Sequence, residues 1–229
     1  PVPQIEKSIA VLPFRNDSPV DSNKYFINGI MEDILNNLQS IKDLRVISRT
    51  SAEKYRNTTK SIPEIAKELG VNYIVEGSGQ KSGNVVHLSV QLLRSRKEGH
   101  LWGKSYEKEL IDARDIFRIQ SEIAELIAAE LEAVITPQVK QRLEKAATSN
   151  LAAYEAYLQG IFYYRKFTRH DTEIALQYFE KAIELDPEYT LAYVAICNVW
   201  LLSQQYSFVS PAVAAPKAME AIRKAVELD

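Results

Sequence analysis

The strongest constraint on the fold of this chain is a pattern that occurs twice in its second half. Ala175, Phe179 and Ala182 set small, large and small residues at offsets of 0, 4 and 7, and Glu184-Leu185-Asp186-Pro187 follows. Ala218, Ile222 and Ala225 repeat the pattern 43 residues later and run into Glu227-Leu228-Asp229. Offsets of four and seven place all three residues on one face of a helix. Small residues on that face let a second helix come close, and the large one fills the space between. A period of tens of residues marks supersecondary units that cannot bury their apolar face alone and must stack on one another. The second half is therefore expected to be helical, built as hairpins.

The match extends beyond the triplets. Gly160, Tyr163, Ala175, Phe179, Ala182 and Pro187 follow a small-aromatic-Ala-Phe-Ala-Pro skeleton, and Tyr193, Ile196, Cys197, Trp200, Ala218, Ile222 and Ala225 take equivalent places in the second copy. On these residues the second half resembles the tetratricopeptide (TPR) repeat. It departs from that repeat's usual period of about 34 residues, with the extra residues expected between helices at 166–172 and 205–216. The resemblance implies a concave groove lined by first-helix positions. Carried onto this chain, these are Tyr154, Tyr157, Ile161, Tyr164 and Arg165, then Leu191, Val194, Asn198 and Leu201. Positions 154, 157, 161 and 164 form one continuous helical stripe, and tyrosine and arginine are common anchors of protein interfaces. The competing reading packs this stripe against a charged connector helix or against the first half of the chain.

The first half has mixed periodicity. Ser8–Phe14 is a short apolar run closed by Pro13, which suits a buried strand, and a polar loop is expected over 15–24. Ile27, Ile30, Ile34 and Leu38 recur at three and four residues and mark a helix. Leu44–Ile47 reads as a second strand, followed by a short helix to Tyr55. Ser61 and Glu64 have capping-box spacing, and Gly70 suits the end of the helix they open. Strands are expected over 71–79, 85–93 and 100–106, the first two joined by a tight turn at Ser82-Gly83-Asn84. A long helix starting near Asp115 has the apolar face Ile116, Ile119, Ile123, Leu126, Ile127, Leu131 and Val134, with Pro137 ending or restarting it. The expected class is α+β: a mixed-sheet domain of order β-α-β-α-β-β-β-α over 5–135, a helical connector over 136–150, and two TPR-like repeats over 151–229.

Ser8–Phe14, Val46-Ile47-Ser48-Arg49-Thr50-Ser51, Glu76-Gly77-Ser78 and His100-Leu101-Trp102 resemble the TolB-like amino-terminal domain. The resemblance spans roughly residues 5–130. It implies a sensory or regulatory region with no reaction of its own, of the kind that follows a class III adenylate cyclase, winged-helix or kinase domain in bacterial proteins. The chain opens on Pro1 and stops at Asp229, where the repeat would next place a proline. The expectation is a piece of a longer protein.

Little in the sequence points to catalysis. No phosphate-binding loop is present, and Gly77, Gly79 and Gly83 have the wrong spacing and context for a dinucleotide fingerprint. His87, His100 and His170 lack helical metal-ligand spacing, and the single cysteine, Cys197, can form neither an internal disulfide nor a multi-cysteine zinc site. No catalytic, metal or cofactor site is expected. The best candidate for a small ligand is Arg49, Thr50 and Ser51, where a strand passes into a helix and backbone N–H groups stand beside an arginine; helix capping is the competing role. A net charge of −2 and a pI near 6.1 give no support to nucleic-acid binding. No apolar run reaches the roughly 18–20 residues of a membrane span, so membrane insertion is not expected.

Two function classes remain. In one, the chain is a non-catalytic regulatory module whose TPR groove binds a protein, a peptide or an upstream domain of the same chain. In the other, it is the sensory region of a cyclase or winged-helix regulator, and its α/β part binds a small ligand or nucleotide. The expected compartment is cytoplasmic, with the periplasmic part of a membrane-anchored regulator as the alternative.

Overall fold

The computed structural model describes residues 6–18, 23–95 and 99–228. It falls into two compact units, Pro1–Ile111 with Asp115–Lys145, and Asp112–Arg114 with Ala146–Asp229. The ends of the chain, loop residues 19–22 and the basic pair Arg96 and Lys97 lie outside the described residues.

The first unit is organised around β1 (Ser8–Val11), all four residues of which are buried. A strand covered on both faces reads as an unbroken apolar run, as this one does. It pairs in parallel with β3 (Arg45–Val46) on one side and with β4 (Tyr73–Ser82) on the other, Ile9 lying opposite both Val46 and Tyr73. β5 (Val85–Arg94) and β6 (Gly99–Glu109) continue the sheet antiparallel, giving the order β3-β1-β4-β5-β6. The sheet is thus mixed. The expected loop over 15–24 contains a further strand, β2 (Arg15–Asn16), which pairs in parallel with Ser78 and Gly79. Its two residues are too few for periodicity to show.

The first helix, α1 (Lys24–Gln39), buries Ile27, Ile30, Ile34 and Leu38, the four residues of its expected face. Glycines in β4 let neighbours close on the sheet. A Cβ on Gly77 would stand 2.7 Å from the Ser89 carbonyl and 2.9 Å from the Phe14 ring, and one on Gly79 would stand 2.7 Å from Ile27. Two helices, α2 (Arg49–Glu53) and α3 (Ile62–Leu69), lie between β3 and β4. Ile65 and Ala66 of α3 pack with Ala10, Leu12, Tyr55, Val71 and Ile74. The Glu64 carboxylate accepts from the Ser61 backbone N–H at 2.8 Å and from its hydroxyl at 2.7 Å, and Gly70 closes α3 at φ +64°. In β5, Val86, Leu88, Val90 and Leu92 are buried while His87 and Gln91 are exposed.

The long helix α4 (Ala113–Glu130) buries Ile116, Ile119, Ile123, Ile127 and, just beyond its end, Leu131. Val134, expected on the same face, is instead 68% exposed. The cause is an earlier helix end. Glu132 takes φ +52°, its N–H donates to the Ala129 carbonyl, and the Ala133 N–H donates to Ala128 at 2.8 Å. These are the two bonds of a Schellman motif, and the chain has left the helical path before Val134. Pro137 accordingly ends nothing: it is the first residue of α5 (Pro137–Glu144), which Thr136 caps.

The second unit is helical: α6 (Leu151–Tyr164), α7 (Arg169–Leu185), α8 (Thr190–Gln205) and α9 (Pro211–Leu228). α6 packs on α7, α7 on α8, and α8 on α9. The repeat residues line these contacts. Ala175 and Phe179 pack with Ala195 and Val199, and Cys197 packs with Ala218 and Ala221. Gly160 is held to glycine by its neighbour, because any Cβ there would overlap the Phe179 ring. The extra residues foreseen between the helices are mostly helical themselves. Within 166–172 and 205–216 the non-helical residues are limited to 166–168 and 206–210, and Pro216 lies inside α9. Thr168 caps α7, accepting from the Asp171 N–H at 3.0 Å, so His170 is helical and Asp171 lies in the first turn.

Candidate functional site

Residues of three helices in the second unit enclose a partly open pocket of about 310 Å³, some of it continuous with solvent. Tyr157, Ile161 and Tyr164 come from α6, Phe179 from α7, and Leu191, Val194, Ala195 and Asn198 from α8. Tyr157 leans on two rings, 5.7 Å from Phe179 and 5.2 Å from Tyr189 between centroids. That packing fixes one wall. Leu191 and Asn198 stand exposed on the opposite wall. The lining is apolar except for the tyrosine hydroxyls and one amide, a surface suited to an apolar side chain with a few polar fixing points.

Six of the nine groove residues expected from sequence meet here: Tyr157, Ile161, Tyr164, Leu191, Val194 and Asn198. The other three stand apart from the pocket lining. Tyr154 shares the stripe but is only 1% exposed, so its ring offers no surface to a partner. Helical spacing defines a face; it does not say how far along that face neighbouring structure reaches. Leu201 is 52% exposed, one turn beyond the pocket. Arg165 takes the C-cap position of α6, where burial pulls its pKa down to about 10, still cationic at neutral pH. Burial, with a smaller contribution from Tyr206, raises the Tyr164 phenol above its ordinary value, so it is a neutral hydroxyl at the rim. Phe179 and Ala195 complete the floor. The repeat pattern marked Phe179 as a packing residue and did not single out Ala195, and nothing in the spacing of either marked it as pocket lining.

The second candidate, Arg49, Thr50 and Ser51, lies in the first unit. Ser48 is the N-cap residue of α2, and its hydroxyl is 3.2 Å from that of Ser51. Thr50 and Ser51 are exposed. Arg49 is largely covered and faces two carboxylates, with Nη1 3.9 Å from Glu32 and Nη2 3.6 Å from Glu53. Its Nε is buried without a hydrogen-bond partner. Burial pulls the guanidinium pKa down, against the opposing pull of Glu53. An incoming anion would have to compete with both carboxylates, and α2 has only five residues to present N–H groups. Among the described residues no group of His, Cys, Asp and Glu is arranged to hold a metal ion, and no helix is long and apolar enough to cross a membrane.

Residues 5–126 match the family described as HilA/YgeH-like transcriptional regulator, second domain, over more than half of the chain. The chain belongs to that family. The HilA/YgeH-like match covers the sheet and most of α4, and stops before the helical unit. A Rhizobium meliloti (strain 1021) protein provisionally named adenylate cyclase 3 is 31% identical over 203 residues, which is 88% of this chain and 34% of that protein. This HilA/YgeH-like chain therefore spans about a third of the curated relative it matches. Among solved structures, TolB from Acinetobacter baumannii is 17% identical, with a TM-score of 0.40 over 54% of this chain and 28% of its own. A lipoprotein from Neisseria meningitidis is also 17% identical, with a TM-score of 0.40 over 53% of this chain and 96% of its own. Likeness at that level assigns neither fold nor function.

Proposed function

We propose that this chain is a non-catalytic regulatory module of a bacterial signalling protein, and that its helical unit is a TPR-like pair of hairpins holding a protein or peptide partner. The observation that carries this reading is the pocket between α6 and α8, an apolar, partly open cleft with exposed Leu191 and Asn198 on one wall. Such a cleft suits a peptide side chain better than a reaction, since it holds neither a nucleophile beside a base nor a metal-ligand cluster. The name of the Rhizobium meliloti relative supports an output domain of the adenylate cyclase type elsewhere in the full-length protein, and the family description supports a transcriptional regulator. In either case the partner is a second protein or an upstream domain of the same chain. The boundaries we assign are 5–135 for a TolB-like α/β domain, 136–150 for a connector and 151–229 for the repeats, in a cytoplasmic protein. The test is affinity capture from the native host with the wild-type chain and with Leu191→Ser/Asn198→Ala. A stoichiometric companion lost with the double variant is the expected result. Equal capture by both overturns the groove.

A second reading rests on the buried, unpartnered Nε of Arg49. Here the α/β unit is the sensor and binds a small anionic ligand or nucleotide at Arg49, Thr50 and Ser51. It predicts a ligand-induced rise in thermal midpoint that Arg49→Ala abolishes. The reading fails if no nucleotide or metabolite shifts the wild-type midpoint.

A further inference from the structure

A row of rings lies on the surface of the helical unit where the turn after α6 meets the turn after α8. Phe167 stacks on Tyr206 with centroids 6.1 Å apart and planes 30° apart, and Tyr206 stacks on Phe208 at 5.8 Å and 26°. Tyr164, 6.3 Å from Phe167, joins this row to the pocket it lines. These rings are not a core in disguise: Phe167 is 48% and Tyr206 49% exposed. The backbone holds them out by unusual means. Phe167 takes φ +55° and Ser207 φ +58°, a left-handed conformation that is a true outlier for a bulky residue. Aromatic surface kept in water by a strained turn signals a use outside the fold's own packing.

The charged residues on the two turns themselves have one sign. Residues 162–170 include Arg165, Lys166 and Arg169 and no Asp or Glu, and 203–216 contain no charged residue, in a chain whose net charge is −2. The Arg169 guanidinium lies 5.7 Å over the Phe208 ring, which fixes a cation at the end of the row. The nearest acid in sequence, Asp171, is occupied by Lys166 at 3.1 Å and by the Thr168 hydroxyl at 2.6 Å. We infer that this aromatic row is a docking surface for an acidic, aromatic-bearing segment of a protein partner, whose rings stack on Phe167 and Tyr206 while a carboxylate meets the exposed Arg169. The inference rests on the groove reading in so far as Tyr164 makes row and pocket one continuous surface. Single-stranded nucleic acid also stacks on aromatic rows, but it needs a track of cations along its backbone. With Lys166 committed to Asp171, the row keeps too few for that.

The experiment uses the 229-residue chain and fluorescein-labelled probes, read by anisotropy. The probes are a random glutamate–tyrosine copolymer, polyglutamate and oligothymidylate. The copolymer should bind at least tenfold more tightly than either of the others. Tyr206→Ala together with Phe167→Gly should weaken it at least tenfold, and Arg169→Glu at least threefold. Phe167→Gly removes the ring and suits the left-handed turn, so fold loss does not obscure the result. Copolymer affinity unchanged in these variants overturns the inference, as does tighter binding of oligothymidylate. Loss of the host companion in Leu191→Ser/Asn198→Ala with no effect of the ring variants on the copolymer would leave the groove and remove the row. The reverse pattern would leave the row and remove the groove.

Discussion

Gly160 and Phe179 show how much of the helical unit rests on single side chains. The phenylalanine ring occupies the space where any other residue at 160 would place its Cβ, and the same ring floors the pocket. Gly160→Ala should therefore destabilise the chain by about 1–3 kcal/mol through overpacking, measurable as a lower urea midpoint. Adding Phe179→Leu should recover part of that loss, an interaction visible only in the double-mutant cycle. The pairing was half legible in the sequence, because Gly160 and Phe179 both belong to the repeat skeleton. What their spacing did not show is depth, and Tyr154 went wrong for the same reason. A titrating residue gives a second test at this scale. Lys7 and the Val134 N–H hold the Asp43 carboxyl below its ordinary value. A folded-state pKa below the unfolded one adds stability above the unfolded value and loses it as pH falls through the folded one. Asp43→Asn should thus be less stable than wild type at pH 7, and the gap should close as pH drops below 3.8, followed by thermal melts across that range.

Among the elements, those with a long period or a glycine-marked turn were readable, and the shortest strand was not. The faces of α1 and α4 follow from isoleucines three and four apart, whereas β2 has two residues and no period at all. Where α4 stops was unreadable for a different reason. A glutamate at the left-handed position of a Schellman motif has none of the signal a glycine would carry. The structure implies that this glutamate is strained, so Glu132→Gly should raise stability by about 1 kcal/mol, seen as a higher chemical midpoint at unchanged helicity. At the start of α7, Thr168→Ala should lower stability by about 1 kcal/mol by removing the cap on Asp171.

At the scale of the whole molecule, the strand order is what a linear reading could not supply. β1 lies between β3 and β4 because both connections cross over, and nothing local in Ser8–Val11 names its two neighbours. The helical unit was more legible since each helix packs on the next in sequence, a consequence of low contact order. That difference has a measurable side. Two hairpins are fewer than the three or so repeats a stacked array needs to stand alone. A fragment of residues 146–229 should therefore melt less cooperatively, and at lower temperature, than the full chain does when followed by helical circular dichroism.

The sheet ends on β6, an eleven-residue strand whose outer side pairs with no other described strand. Its exposed residues include Lys104, Glu107, Lys108 and Glu109, so two copies meeting edge to edge bring both signs of charge into contact along a surface that water must first leave. Replacing Glu107 and Glu109 by glutamine leaves lysine against lysine, which keeps strands apart. Replacing Lys104 and Lys108 by glutamine as well removes that guard and should let thioflavin-positive fibrils grow from stock solutions that otherwise stay clear.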